Sequence, residues 1–417
     1  MNNFCGLDFG TSNSAIGFYQ DNQLKLSDFD GKKYLPSSIF FEYGESQPFF
    51  GEEAKRRYIA GSEGRMIWSP KNALGTKLIN EKTQVENKKL SYTDIIALII
   101  GNLKERCERQ KGSLLSNIVV GRPVHYNDND KNLDKSAQDA MHELLKNLGF
   151  KNICFELEPI AAAAHYENDL SHEEIALIID MGGGTSDFTI AQLGGKQLNN
   201  EAKILAVGGI HIAGTNFDKS LSLKSIMPQL GLNTFYKSLE GNRSLVPKTL
   251  YTDLATWHKI GFCYQRKNLE WAKKLSFCGE EPEKFKILLQ VLEARLGHQL
   301  AIEVEKAKIQ LSSQEKALVL INELDPHLEL EIERIIFEQA LQIDLEKIIA
   351  AMKETIKSAQ INADAIDAIF MTGGASSVPL VRNSMLACLP KARLVEGDKF
   401  ASVATGLSII AKKKFGT

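Results

Sequence analysis

The sequence predicts a multidomain α/β protein built on an internal duplication. Two observations carry this. Continuous apolar strands alternate with helical patterns along the chain, and one unusual turn occurs twice, about 170 residues apart. With 417 residues the chain is too long for one ordinary core, and two or three compact units are expected. Apolar residues at 43% and charged residues at 24% are ordinary globular values, and a formal charge of −2 gives no global field for nucleic acid or a membrane surface.

The first copy of the turn begins the chain. Phe4-Cys5-Gly6-Leu7 reads as a strand, Asp8-Phe9-Gly10-Thr11-Ser12-Asn13 as a turn and Ala15–Tyr19 as a second strand. The second copy has the same grammar: strand Ile175–Ile179, turn Asp180-Met181-Gly182-Gly183-Gly184-Thr185-Ser186-Asp187, strand Phe188–Ala191. Between them, helical spacing marks Tyr92–Arg109 and Asp134–Leu148, with short strands at Asn117–Gly121 and Ile153–Leu157. Glu158-Pro159 breaks the last strand and opens an alanine-rich helix, Ile160–Tyr166, with Pro159 suited to a first turn. Past the second copy, a strand at Lys203–Val207 precedes a long, mostly helical stretch from about 217 to 314. A helix follows over Glu331–Gln360, then strand Ala368–Thr372, helix Val378–Leu389 and a last helix near Phe400–Lys413.

Several classes are set aside. The longest apolar run, Ile95–Ile100, is far below the roughly 20 residues that span a bilayer. The N-terminus lacks a charged segment and an apolar core, so no signal peptide is expected. Six scattered cysteines with no Cys-x-x-Cys pair read as reduced, mostly buried thiols of a cytoplasmic protein. The locally basic 221–280 segment, with Trp257 and Trp271, reads as a solvated helical surface in preference to a nucleic-acid face. Lys412–Lys414 read as cations at a helix C-terminus.

No Walker A loop is present, since neither Gly31-Lys32 nor Gly195-Lys196 is followed by Ser or Thr. The duplicated turn is a different phosphate device. Glycines leave consecutive N–H groups unobstructed, and these can form a concave nest for phosphate oxygens, while Thr11, Ser12 and Thr185 add hydroxyl donors. Asp8 and Asp180 would repel phosphate unless a divalent cation, Mg²⁺, lay between, held through its waters. Two such hairpins would grip the β- and γ-phosphates from both sides. Glu158-Pro159 and Gly373-Gly374 each lie at a strand-to-helix junction, where α/β sheets place functional groups.

These motifs resemble the ATPase domain of the heat-shock-protein-70 (DnaK) family. Gly6–Ser14 is similar to its first phosphate loop, Glu158–Ala163 to its hinge motif and Ile179–Asp187 to its second phosphate loop. Glu305-Lys306-Ala307-Lys308-Ile309-Gln310-Leu311-Ser312-Ser313 resembles its adenosine-contacting helix, and Thr372–Pro379 its second adenosine loop. The resemblance implies an actin-like ATPase fold with a duplicated, ribonuclease H-like core, two smaller inserted subdomains and ATP or ADP in a central cleft. On it, lobe I is 1–171 (core 1–38 and 115–171, small subdomain about 39–114). Lobe II is 172–417 (core about 172–218 and 330–396, helical subdomain about 219–329, returning helix 397–417).

The resemblance also implies roles. Asp8 and Asp180 organise hydrated Mg²⁺ and a monovalent cation such as K⁺. Gly10, Thr11, Ser12, Asn13 and Gly182, Gly183, Gly184 bind phosphates, with Thr185 near the γ-phosphate. Lys71 stands where the family keeps its catalytic lysine, and Glu158, Asp180 and Asp187 orient the attacking water. Glu305, Lys308 and Ser312 meet ribose and adenine, with Gly373, Gly374 and Ala375 on the other side and Gly214 nearby. The chain departs from the family in three ways. It stops where the peptide-binding domain would follow, it places Ile309 and Ser377 where some members stack arginines on adenine, and its 219–300 stretch is long. In these it looks like the truncated DnaK-like proteins of the bacterial YegD type. The implied function is a slow, Mg-dependent ATPase acting as a chaperone-like nucleotide switch, with nucleotide and unidentified client or regulatory proteins as partners. A small-molecule kinase of the same superfamily and a non-catalytic nucleotide-gated binding module are the alternatives.

Overall fold

A computed structural model describes residues 3–127, 130–167, 170, 172–194, 203–237, 241–397 and 401–416. Its framework is two sheets of the same topology. In the first, strand Phe4–Phe9 lies between two neighbours: Asn13–Gln20, antiparallel, and Asn117–Arg122, parallel. Gln23–Leu26 extends one edge and Asn152–Leu157 the other, and the two-residue strand Leu35–Pro36 also pairs with Asn13–Gln20. In the second, Glu174–Met181 takes the place of the first strand. Ser186–Leu193 and Lys203–Ile210 lie antiparallel on one side, and Ala368–Thr372 and Arg393–Glu396 parallel on the other. The central strands are buried and apolar on both faces, as parallel strands covered by helices must be.

Two helices pack against these sheets, and glycine sets how closely. On the Ser402–Phe415 helix, a Cβ at Gly406 would stand 1.7 Å from the Ala161 carbonyl oxygen of the Glu158–Glu167 helix. Against the same helix, a Cβ at Gly6 would meet the Ser408 backbone nitrogen at 2.3 Å. The side chains sealing this core are small or flat: Ala161, Ala162, Ala163, Leu407 and Ala411 beside Phe4, Val119, Ile178 and Phe370. A second apolar cluster covers the other face of the first sheet, where Ile95, Ile96, Ile99 and Leu103 of the Tyr92–Lys111 helix meet Leu7, Ile16 and Ile118. That helix opens on a reciprocal Ser91–Asp94 capping box and ends at Gly112 in the left-handed region.

By compactness the chain divides into two units. One comprises 1–214, 347–377 and 381–417 and holds both sheets; the other comprises 215–346 and 378–380. The second unit is mainly helical, with Arg266–Cys278, Pro282–Glu293 and Gly297–Leu311 its longer complete helices. Tyr251, Phe285, Leu288, Val291 and Phe337 are fully buried in it. Within the stretch expected to be mostly helical it adds a short hairpin, Phe235–Lys237 with Arg243–Leu245. It also carries a second hairpin, Lys316–Ile321 with Leu328–Glu333. The helix expected from Glu331 therefore begins at Arg334, because Leu328, Leu330 and Ile332 alternate with glutamates at strand period, not helical period.

Candidate functional site

Both copies of the duplicated turn end a central strand and start the antiparallel one beside it, so Asp8 and Asp180 emerge at equivalent places. The turns are in contact. A Cβ at Gly183 would lie 2.0 Å from Ser12 Oγ, and one at Gly184 would lie 2.8 Å from Thr11 Oγ1. Glycine is thus required twice over in the second turn, for open N–H groups and for the approach of the first. Within the first turn, Gly10 admits the Asn13 carbonyl, which a Cβ would meet at 2.1 Å. The Gly182 N–H donates to the Thr185 carbonyl at 3.1 Å, and the Gly182 carbonyl accepts from the Gly214 N–H at 3.2 Å. Gly373, at φ +83°, lies against the Met181 carbonyl, 2.3 Å from where its Cβ would be. The Gly374–Ser377 turn follows, with Ala375 buried and Ser376 Oγ donating to the Gly373 carbonyl at 2.6 Å.

Lys71 reaches Glu158, its Nζ 2.6 Å from Oε1, with side chains only 10% and 8% exposed. Its position is built by a chain of backbone contacts. Ser37 donates from its N–H to the Ser12 carbonyl at 2.8 Å, and from its hydroxyl to the Gly10 carbonyl at 2.7 Å. Ser69 N–H in turn donates to the Ser37 carbonyl at 2.9 Å. Ser69 adopts φ 51°, ψ 49°, a left-handed conformation that turns the chain into Pro70–Ala73. The first glycine-containing turn and the lysine are therefore held by the same short segment.

Asp187 pairs across the hairpin with Asp180. Its Oδ1 accepts the Val124 N–H at 3.2 Å, while Oδ2 is buried and makes no hydrogen bond among the described residues.

Four carboxylates, the buried Glu158, Asp180 and Asp187 and the half-buried Asp8, thus gather around Lys71. Burial, then repulsion from Glu158, pushes Asp8 up to about 7. The same two causes in the same order raise Asp187 to about 6. Burial with Glu158, Asp8 and Asp187 raises Asp180 well above the carboxylate range. Burial works against the Lys71 charge, but Glu158 and Asp8 outweigh it and hold the ammonium above its ordinary value. This surplus of acid suits a hydrated divalent cation. Among the described residues no group of three His, Cys, Asp or Glu side chains could hold a bare ion.

Glu305 and Lys308, expected to meet ribose and adenine, lie on the Gly297–Leu311 helix of the second unit, with Ser312 as its C-cap. There Lys308 is gripped by Asp218, 2.8 Å to Oδ1 and 2.9 Å to Oδ2, and Ser312 Oγ donates to the Lys308 carbonyl at 3.0 Å. Burial foremost raises Asp218 to about 6 despite its lysine. Asp218 was not singled out from the sequence, nor was Tyr126, whose buried phenol is raised to about 12 and feels Lys71 and Glu158. The signal available for Tyr126 was its place just beyond a buried strand. All six cysteines are free, and no described helix is long and apolar enough to cross a membrane.

Comparison with known proteins agrees with this geometry. The family model "Hsp70 protein" matches residues 4–227 and 284–416. The "Chaperone protein DnaK" of Thermosipho melanesiensis is 25% identical over 416 residues, covering 97% of this chain. The chain spans 58% of that relative's length. The family model covers well over half of the residues, so the chain belongs to the Hsp70 family, and its fold is the actin-like ATPase fold of that family.

Proposed function

We propose that the chain binds ATP with Mg²⁺ and hydrolyses it slowly, as a chaperone-like nucleotide switch. The observation that carries this reading is the pairing of two glycine-rich turns with four carboxylates, three of them buried, and the Lys71–Glu158 ion pair. Phosphoryl transfer to water requires positioning and charge neutralisation more than covalent help. The N–H groups and hydroxyls of 10–13 and 182–185 would bind the phosphates, and Lys71 would neutralise oxygens on the transferring group. Mg²⁺, when bound near Asp8 and Asp180, supplies further neutralisation of phosphate charge.

The carboxylates divide the remaining work. Glu158 is engaged by Lys71 and orients it. Asp187 has one oxygen fixed by Val124 and the other uncommitted, and its pKa of about 6 suits a general base near neutral pH. It would hold a water and take its proton as the new bond to the γ-phosphorus forms and the bond to the leaving ADP oxygen breaks. Glu305, Lys308 and Ser312 would bind the nucleoside. Nucleotide state would then bias the conformation presented to client or regulatory proteins.

A small-molecule kinase of the same superfamily is the second reading, and Asp187 favours water over a larger acceptor because its uncommitted oxygen is buried. Incubation with γ-labelled ATP separates the two: label released as inorganic phosphate supports hydrolysis, and label accumulating on a small hydroxyl compound supports the kinase.

A further inference from the structure

One ion pair outside the described site has more contacts than a structural brace needs. Arg122 ends the Asn117–Arg122 strand, and Asp134 lies in the first turn of the Lys131–Asn147 helix. Arg122 Nη2 lies 3.0 Å from Asp134 Oδ2 and 3.2 Å from Oδ1, with side chains 16% and 21% exposed. The guanidinium also donates to the Pro123 carbonyl at 3.1 Å and the Val124 carbonyl at 3.4 Å, binds Gln138, and stacks 5.0 Å from the Tyr126 ring centre. Asp134 Oδ1 accepts the Tyr126 N–H at 2.6 Å. The turn 123–127 is thus wrapped around one charge pair.

That turn touches the site at two points. Its Val124 N–H fixes Asp187 Oδ1 at 3.2 Å. At its other end, Asn127 Nδ2 donates to the Gly75 carbonyl at 2.8 Å, and the Tyr126 carbonyl occupies the space where a Gly75 Cβ would be, 2.3 Å away. Gly75 adopts φ +72° and ends the short segment that presents Lys71. An exposed ion pair contributes little, but this one is shielded, with Nη2 facing both Asp134 oxygens, and shared with three backbone groups of the turn.

We propose that Arg122 and Asp134 are positioning residues of the hydrolytic site, a clamp that holds the 123–127 turn and through it sets Asp187 and Lys71 relative to each other. The proposal rests on the hydrolytic reading above and adds to it the source of the site's alignment. Neither residue touches the reacting atoms. Loss of alignment of about 1 Å in a hydrolytic site can lower turnover on the order of 100-fold, while phosphate binding through 10–13 and 182–185 is left in place.

The test compares the full chain with Asp134→Asn, Arg122→Lys and the apolar double variant Arg122→Met/Asp134→Leu. Three quantities are measured: single-turnover hydrolysis of Mg-ATP, the ATP dissociation constant, and hydrogen exchange by segment. Arg122→Lys keeps the charge but loses the separate Nε, Nη1 and Nη2 donors that reach Pro123, Gln138 and Asp134, so it reports on the clamp even if the other variants fold poorly. The expected result is a fall in turnover of about 10-fold or more with ATP affinity within about 3-fold. Exchange should quicken in 69–76 and 123–127 but not in the 368–372 strand, and the double variant should be no slower than the worse single variant. Unchanged turnover in Arg122→Lys and Asp134→Asn, or exchange that rises everywhere in both, overturns the clamp. Should the parent chain itself release no phosphate, the hydrolytic reading fails on its own; the clamp then stands or falls on whether the exchange changes are confined to those two segments.

Discussion

Lys71 illustrates how a single side chain can be read from sequence and still be explained only by structure. The motif order placed it, but its buried pairing with Glu158 depends on Ser69 turning left-handed, and no local pattern announces that. Two expectations follow. Lys71→Ala leaves Glu158 buried without its partner and removes a donor to the transferring phosphate, so hydrolysis should slow by about 100-fold or more, read by single-turnover phosphate release. Ser69→Gly should keep or slightly raise stability, by up to about 1 kcal/mol, because glycine adopts φ 51° without strain and the Ser69 hydroxyl makes no hydrogen bond among the described residues; denaturant unfolding measures it. The acids give a pH dependence of definite sign. Asp8 and Asp187 hold their protons to higher pH folded than unfolded, so the native state binds more protons between the ordinary value of 3.8 and about 7. Stability without nucleotide or metal should therefore fall as pH rises through that window, and a thermal midpoint that rises instead would contradict the acid surplus. Asp218 carries no local signal in the sequence, and Tyr126 only its place just beyond a buried strand, since what each does rests on contacts with residues far away in sequence.

At the scale of elements, the duplicated turn was the most legible feature. Apolar strands followed by Asp-x-Gly turns marked both central hairpins, and the structure extends the likeness to all five strands of each sheet order. The strands Lys316–Ile321 and Leu328–Glu333 each bury one face and expose the other; the alternation of Leu328, Leu330 and Ile332 with glutamates is short, and the helical reading from Glu331 overlaps its last three residues. Gly406 shows what helix packing adds. Nothing in its neighbourhood of sequence demands glycine, yet a side chain there would enter the Ala161 carbonyl. Gly406→Ala should cost about 1–3 kcal/mol from overpacking, seen as a lower denaturation midpoint, whereas Gly101→Ala, whose Cβ would meet only Leu148 at an ordinary 3.5 Å, should stabilise its helix by roughly 1 kcal/mol.

For the whole molecule, the family match omits 228–283, the part of the second unit that the sequence marked as long and basic. Arg266, Lys267, Lys273 and Lys274 are exposed there, as are Phe262 and Phe277, at 65% and 82%. The phosphate turns, the carboxylates and Lys71 all belong to the other unit. Reversing charge at Lys267 and Lys273, exposed side chains that the hydrolytic reading does not use, should leave single-turnover hydrolysis within about 2-fold, since exposed surface charges contribute little. The central claim, that Lys71 and the paired turns hydrolyse ATP, is tested most directly by single-turnover phosphate release from Mg-ATP in the parent chain, Lys71→Ala and Asp180→Asn. Measurable release in the parent, strongly slowed in both variants while each still binds ATP, is the result expected. Release that is absent from the parent, or equally fast in all three proteins, would contradict it.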